Sequence, residues 1–252
     1  MLKTVKFGGS SVAGAEQFRK VKAIVEKDPS RRVVVISAAG KRNSADHKLT
    51  DLLYLCHAHL TYGVSCDDIF ETITERFVEI RDELGLTWKV EDELADLKKR
   101  LNKNFPVDEL VSRGEYFTAK LMAEYLGYTF VDAASCIFFG YDGKFDIEKT
   151  YATIDSCLKT NGKIVIPGFY GSLPTGKIKV MTRGGGDVTG ALAAAAVGAA
   201  VPPASAESGS SPGSPITHTF SRQGTSSPSS YSTFKRVPAT SASHSNAALS
   251  VS

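Results

Sequence analysis

The first residues of the chain place a lysine, two glycines and two hydroxyl side chains at a spacing that suits phosphate binding. Lys6 lies two positions before Gly8, and Gly9, Ser10 and Ser11 follow. Glycines let backbone N–H groups approach an anion closely, and a lysine supplies a positive charge. The segment is not a Walker A loop, because its lysine precedes the glycines. Taken alone, so short a motif slightly favours an ordinary strand-to-helix turn over a phosphate site.

A second anion-binding pattern lies near residue 185. Three consecutive glycines, Gly184, Gly185 and Gly186, stand between Arg183 and Asp187. The pattern predicts a strand end, a turn and a helix that Asp187 opens as an N-cap, a role that does not exclude a functional one. N–H groups at a helix N-terminus favour an anion, and Arg183 can bind a carboxylate or phosphate through two hydrogen bonds. We therefore expect this segment as a whole to have a functional role and not a structural one alone.

A third candidate is the S-R-G-E segment Ser112–Glu115, which lies inside a predicted helix. Gly114 costs that helix about 1 kcal/mol relative to alanine, so its presence suggests that something approaches this face closely. Glu115 could bind a substrate ammonium group. The usual alternative for a single helical glutamate is a solvated carboxylate.

Two loops complete the set of candidates. One begins with Ser37 and runs to Gly40, and the other contains Phe169 between Pro167 and Gly171. Each follows a continuous apolar run, which is typical of a strand buried on both faces of a parallel sheet. Ligands of such sheets bind at the carboxyl ends of the strands, where both loops are expected to lie.

Hydrophobic periodicity predicts the elements that position these residues. The predicted helices span 15–27, 49–62, 67–84, 90–104, 107–126, 147–159 and 187–198, and the predicted strands span 2–7, 32–37, 128–132, 136–139, 163–166 and 177–181. Strands that alternate with helices, with a helical insertion after the second strand, predict a three-layer αβα domain with a mostly parallel sheet.

Composition excludes several classes of protein. A net charge of +3 is too small and too dispersed to indicate a nucleic-acid partner. The apolar run Ala191–Val201 is too short to span a membrane, and the N-terminus lacks a signal-peptide pattern. The cysteines form no C-x-x-C pair and His57 and His59 point to different helix faces, so we expect no metal site, reduced thiols and a cytoplasmic location.

The chain changes character near residue 200. Residues 201–252 contain 16 of the serines and six of the ten prolines, and they show no apolar periodicity. Such a segment cannot bury enough surface to offset the entropy cost of ordering, so we predict disorder for 199–252 and a folded domain over 1–198. A natural tail and a loss of the coding frame are both compatible with this composition, and the unfinished sheet favours the second.

Taken in order, these segments resemble the aspartokinases of the amino-acid kinase superfamily. Order and spacing make the resemblance specific over residues 1–198; other amino-acid or carbamate kinases fit S-R-G-E less well. The matching segments are Lys6–Val12, Val35–Ala38, Leu49–Leu53, Asp108–Glu115, Pro167–Gly171 and Arg183–Gly190.

The resemblance implies an ATP- and Mg²⁺-dependent kinase that phosphorylates the β-carboxylate of L-aspartate in lysine, threonine and methionine biosynthesis. It implies that Lys6 and the backbone of Phe7, Gly8, Gly9 and Ser10 bind the transferring phosphoryl group. Lys6 and Asp187 would be the catalytic pair. The implied aspartate-binding residues are Ser37, Thr50, Glu115, Phe169, Arg183, Gly184, Gly185 and Gly186.

Two departures from the family pattern stand out. Gly186 replaces a serine, which predicts weakened substrate binding. The T-D-x-x-G and D-P-R elements that hold ATP, and the ACT regulatory domains, have no counterpart in 199–252. The C-terminal part of the kinase domain is therefore expected to be missing, and an inactive fragment is the alternative to an active kinase. Homo-oligomers are expected only of full-length family members.

Overall fold

The fold is an α/β domain built on one mainly parallel sheet, as the sequence predicts. The computed structural model describes residues 2–182, 184–198 and 231–234. The strands are β1 (Lys3–Phe7), β2 (Arg31–Ile36), β3 (Thr129–Phe130), β4 (Ile164–Pro167), β5 (Tyr170–Ser172), β6 (Ile178–Val180) and β7 (Tyr231–Phe234). The helices are α1 (Ala15–Glu26), α2 (Leu49–Thr61), α3 (Asp67–Leu84), α4 (Val90–Arg100), α5 (Val107–Leu126), α6 (Ala133–Cys136), α7 (Ile147–Asn161) and α8 (Gly185–Gly198).

The main sheet has the strand order β3-β4-β2-β1-β7. The first four strands run parallel, with Val5 opposite Val34 and Val34 opposite Val165. The carboxyl ends of β1, β2 and β4 therefore meet at one edge of the sheet, and the loops that follow them are brought together there.

Strand β7 lies within the segment 199–252, for which the sequence predicts disorder. Tyr231–Phe234 pairs antiparallel with β1, with Lys6 opposite Ser232. The rest of 199–252 lies outside the described residues. In the described part of the chain, β1 is thus flanked by a strand on each side.

Two separate cores cover the two faces of the sheet, which gives the predicted three layers. Val34 and Ile36 of β2 point into a core formed with helices α1 to α5. Val33 and Val35, which alternate with them, point into a second core formed with α6, α7 and α8. Because all four side chains are fully buried, β2 has the continuous apolar sequence of a strand covered on both faces.

The helical insertion between β2 and β3 follows the predicted pattern closely. Helices α3 and α5 begin and end where the periodicity places them, and each is followed by a glycine in the left-handed conformation, Gly85 and Gly127. Helix α4 ends at Arg100, four residues earlier than predicted.

The predicted strand at 136–139 is wrong. The segment before it forms the short helix α6, because the Asp132 side chain accepts a hydrogen bond from the backbone N–H of Ala134 and caps that helix. Phe138 and Phe139 form only isolated bridges. Strand β5, which the sequence analysis assigned to a loop, pairs antiparallel with β6 as a hairpin.

All four cysteines are free thiols; Cys157 is half-buried and the other three are buried. Among the described helices, none has both the length and the hydrophobicity needed to cross a lipid bilayer.

Candidate active site at the carboxyl ends of the strands

Three of the predicted segments meet at Gly186, in the first turn of α8. A Cβ atom at Gly186 would lie 3.0 Å from Ser37 Oγ and 3.2 Å from Lys6 Cε. A Cβ atom at Gly168 would lie 2.9 Å from the Cα atom of Gly186. The ends of β1, β2 and β4 therefore converge on the start of α8, and the glycines allow this close approach.

Lys6 and Asp187 form an ion pair in this cluster. The Lys6 ammonium lies 3.0 Å from Asp187 Oδ1, and the lysine side chain is 13% exposed whereas that of Asp187 is 49% exposed. Helix α8 begins at Gly185, two residues before Asp187, so Asp187 lies in its first turn and is not the residue that opens the helix. The Asp187 carboxylate therefore lies between the positive end of the helix dipole and the Lys6 ammonium.

The two glycine loops of the site touch through their backbones. Gly9 lies in a single 3-10 turn, Gly9–Val12, and its carbonyl oxygen accepts a hydrogen bond of 2.8 Å from the N–H of Gly40. A Cβ atom at Gly9 would lie 2.8 Å from the Ala38 carbonyl oxygen, and one at Gly40 would lie 2.8 Å from that of Gly9. No side chain can be added at either position without moving the backbone.

Glu115 is a buried carboxylate directed at the same cluster. Its side chain is 5% exposed, and one carboxylate oxygen, Oε2, is buried with no hydrogen-bond partner in the described structure. Burial raises the pKa of Glu115 to about 8, against the opposing effects of the Ala38 N–H and the positive charge of Lys6. A buried carboxylate with an unsatisfied oxygen is a natural partner for a ligand ammonium group.

Gly114, next to it, supports the predicted close approach. A Cβ atom there would lie 3.0 Å from Ala38 Cβ and 3.2 Å from Leu53 Cδ1. The loop after β2 and helix α2 both pack against this face of α5, which confirms the inference drawn from a glycine inside a helix.

Sequence reasoning missed Tyr54 and Asp108 as candidate residues. Tyr54 lies one turn after Thr50 on α2, and burial together with the charges of Asp108 and Glu115 raises its pKa. The Asp108 carboxylate accepts a hydrogen bond of 3.1 Å from the N–H of Val180 and so joins the start of α5 to the β5–β6 hairpin. The i, i+4 spacing from Thr50 was the available signal for Tyr54.

The loop after β4 carries a strained backbone. Phe169 has φ = 79°, and it is the single non-glycine residue with positive φ in the described structure. Its N–H donates to Thr189 Oγ1 at 3.2 Å, and its carbonyl oxygen accepts from the N–H of Met181 at 2.7 Å. A Cβ atom at Gly185 would lie 3.0 Å from the Phe169 ring. Such a conformation costs about 1–3 kcal/mol and is found mainly at functional sites.

The two charged residues of the S-R-G-E segment face different surroundings. The Arg113 guanidinium lies 4.5 Å from the Tyr116 ring centre and 5.6 Å from that of Tyr170. It lines a cavity of about 890 Å³, with Lys177 of the hairpin, that contains none of the predicted site residues. Of these two charged residues, only Glu115 lies in the cluster around Lys6.

The remaining predicted residues are placed as follows. Phe7 is the last residue of β1 and is fully buried, Gly8 follows it, and Ser10 lies in the 3-10 turn Gly9–Val12. Gly184 precedes α8 with φ = 83°. Thr50 lies in the first turn of α2. Arg183 lies outside the described residues.

Several features together define the class of protein to which this chain belongs. They are a three-layer α/β domain and, at one edge of its sheet, a lysine, two glycine loops and a helix N-terminus. A family model described as the amino acid kinase family matches residues 1–201, and the chain belongs to this family.

Individual relatives are aspartokinases. Aspartokinase 3 of Bacillus subtilis is 34% identical over 207 residues, which cover 77% of this chain and 46% of that protein. The crystal structure of Clostridium acetobutylicum aspartate kinase is 45% identical, with a TM-score of 0.74 over 78% of this chain and 45% of that chain. Escherichia coli aspartokinase III, in complex with aspartate and ADP, shares the fold at 24% identity with a TM-score of 0.65, covering 78% of this chain and 46% of that chain. The chain spans less than half the length of these relatives.

Proposed function

We propose that this chain carries the aspartate-binding and phosphoryl-binding half of an aspartate kinase. In the proposed reaction, a β-carboxylate oxygen of L-aspartate attacks the γ-phosphorus of ATP, and 4-phospho-L-aspartate and ADP are formed. The product would serve lysine, threonine and methionine biosynthesis. The observation that carries the proposal is the buried, unsatisfied carboxylate of Glu115 in the same cluster as Lys6.

The charges of the site suit an acidic amino acid. Glu115 would bind the α-ammonium group of aspartate, and Thr50, Ser37 and Arg183 would bind its carboxylates. Phe169 and the glycines Gly184, Gly185 and Gly186 would shape the pocket, because a side chain at Gly185 would collide with Met181 and one at Gly186 would displace its neighbours by a few tenths of an ångström. No general base is needed, since the β-carboxylate is already ionised at neutral pH.

Lys6 would stabilise the phosphoryl group in flight. The loop of Gly8, Gly9 and Ser10 begins two residues after Lys6, so its backbone N–H groups would bind the same phosphoryl oxygens. Transfer of a phosphoryl group depends on positioning and on neutralising charge, both of which a fixed lysine and backbone donors supply. Asp187 would hold the Lys6 ammonium in place through their ion pair.

Mg²⁺ would neutralise the oxygens of bound ATP. Within the described residues, no group of three or more His, Cys, Asp or Glu side chains could hold a metal ion. Mg²⁺ in kinase sites usually binds substrate phosphates, waters and only one or two carboxylates, and the half-exposed Asp187 could supply one such ligand.

An acyl-phosphate assay tests the proposal. The whole chain is incubated with ATP, Mg²⁺, L-aspartate and hydroxylamine, which traps the acyl phosphate as a hydroxamate. We expect hydroxamate with L-aspartate, much less with D-aspartate, and formation about 10³-fold slower with Lys6→Met. Binding of L-aspartate, measured by calorimetry, in the absence of turnover would show that the chain binds the substrate but does not catalyse the reaction. Neither binding nor turnover in a chain with a cooperative thermal transition would contradict the proposal.

A further inference from the structure

One buried charge of the helical insertion has no part in the proposed chemistry. Arg76 lies in the middle of α3, and its side chain is 2% exposed. Its two terminal nitrogens donate hydrogen bonds of 2.6 Å each, one to the Gly40 carbonyl oxygen and one to that of His47. Asp46 Oδ2 lies 3.4 Å from the guanidinium. One planar fork therefore holds both ends of the segment 40–47.

That segment connects the two halves of the site. At its start, the N–H of Gly40 donates to the Gly9 carbonyl oxygen in the phosphate loop. Just beyond its end, the N–H of Leu49 donates to the Ala39 carbonyl oxygen at 3.3 Å, and Thr50 follows. Gly9 is therefore one hydrogen bond away from Gly40, whose carbonyl group Arg76 holds. Thr50 lies three residues after His47, the second residue whose carbonyl group Arg76 holds.

The geometry of Arg76 suits a positioning role. Burial lowers the pKa of the Arg76 guanidinium, and its Nε atom has no hydrogen-bond partner in the described structure. Replacing both partners of a buried ion pair by apolar side chains of similar volume is often neutral or stabilising, so stability alone does not require such a pair. What an apolar residue cannot do is hold two carbonyl groups at a fixed spacing, which the planar guanidinium does.

We propose that Arg76 is a positioning residue that keeps the phosphate loop at Gly9 in register with the aspartate-binding start of α2 at Thr50. Its kinetic consequence rests on the proposed function. Its structural consequence, the coupling of segment 40–47 to the loop at Gly9, does not.

Hydrogen exchange of the whole chain tests the structural consequence without any turnover. The variants are Arg76→Met and, as a matched control, Arg81→Met. Arg81 lies on the same helix and pairs with Asp82 and Glu91, away from the loops of the site. We expect Arg76→Met to speed exchange at least about tenfold in both 37–49 and 8–12, and Arg81→Met to affect only the contact with α4. Unchanged exchange in 8–12 with Arg76→Met, or equal effects of the two variants, would overturn the proposal.

The kinetic arm uses the same variants. A displacement of about 1 Å can cost about 100-fold in rate, so we expect kcat to fall 10- to 100-fold with Arg76→Met while the Kd of L-aspartate changes less than about threefold. Arg76→Lys, whose ammonium group can reach one carbonyl group, should have a kcat between those of the wild type and of Arg76→Met. It replaces the Met variant in both arms if that variant does not unfold cooperatively. Unchanged kcat per folded molecule would show that Arg76 has only a structural role. An inactive wild-type chain would count against the proposed function. In that case, the hydrogen-exchange experiment would still test the role of Arg76.

Discussion

Lys6 and Glu115 are both ionisable side chains shielded from solvent at the same edge of the sheet, yet their surroundings differ. Lys6 is 13% exposed and has its counter-ion, Asp187, at 3.0 Å. Glu115 is 5% exposed and has one carboxylate oxygen with no partner in the described structure, and its pKa is raised to about 8. The phosphoryl side of the site is therefore electrostatically complete before any ligand binds, whereas the amino-acid side is not.

The difference shows how one edge of a sheet can serve two ligands. A lysine held by a counter-ion keeps its position, which suits a group that must stabilise a short-lived charge distribution. An uncompensated carboxylate costs stability until a ligand ammonium arrives, so part of the binding free energy of that ligand is spent on ionising it. We expect the two residues to respond differently to substitution and to pH.

The largest effect is expected from Lys6→Met. Removing the positive charge should lower kcat about 10³-fold, in the range known for charged groups that stabilise phosphoryl transfer. The matched control is Lys3→Met on the same strand, whose ammonium pairs with Asp28 at the far end of β1. Steady-state hydroxamate kinetics measure both; equal losses in the two variants would contradict a special role for Lys6.

Glu115→Gln should separate binding from stability. Loss of the charge that meets the substrate ammonium should raise the KM for L-aspartate about 100-fold, as expected when one partner of a buried charge pair is removed. The control is Glu124→Gln on the same helix, whose carboxylate accepts hydrogen bonds from Thr87.

The same variant should gain thermal stability at alkaline pH. The folded pKa of Glu115, about 8, lies above its unfolded value of 4.5, so the wild-type fold loses stability as pH rises between these values. Glu115→Gln lacks this loss, so its melting temperature should exceed that of the wild type by a few degrees at pH 8.5 and not at pH 4. A variant less stable at both pH values would show that Glu115 already has a partner.

Proton release on ligand binding gives a third test of Glu115, in addition to the KM and the melting temperature. At pH 7 Glu115 is protonated in the free chain, and it must ionise to bind an ammonium group, so binding L-aspartate should release close to one proton. Apparent affinity should rise about tenfold per pH unit up to about pH 8 and then level off. Calorimetry in buffers of different ionisation enthalpy measures the proton count, and Glu115→Gln should abolish it.

The smallest effect is expected at Gly186. Its Cβ position lies 3.0 Å from the Ser37 hydroxyl, which can rotate, so Gly186→Ser should fit after a shift of a few tenths of an ångström. A new hydroxyl beside the substrate should lower the KM for L-aspartate about threefold, in line with the modest net free energy of one hydrogen bond. Gly186→Ala adds the Cβ atom alone; if both variants behave alike, the hydroxyl contributes nothing.

Most of the three-layer arrangement was predictable, because the hydrophobic periodicity of a segment indicates which of its faces are buried. The continuous run of β2 indicated a strand covered on both faces, and the helix Val107–Leu126 is bounded by Pro106 and Gly127. The strand wrongly predicted at 136–139 shows the limit. Ile137, Phe138 and Phe139 have strand-forming side chains, but the Asp132 cap and the neighbouring packing decide the backbone there.

The sequence predicts which residues could form the candidate site, but it does not predict their charges. Glycines beside charged or hydroxyl residues single out Gly9 and Gly186 as anion-binding positions, and a glycine inside a helix singles out Gly114 as a position of close approach. Whether Glu115 is solvated or buried depends on α2 and the loop after β2, which are far away in the sequence. The same holds for Arg76, whose partners lie 29 and 36 residues away.

The contact between Gly9 and Gly40 has an evolutionary consequence. Side chains that meet in a core can be exchanged in compensating pairs, large for small, because the total volume is what matters. Here each glycine faces the backbone of the other, and no second substitution can make room for a first. We therefore expect the two positions to change in no lineage that keeps the site, and to drift together wherever the site has been lost.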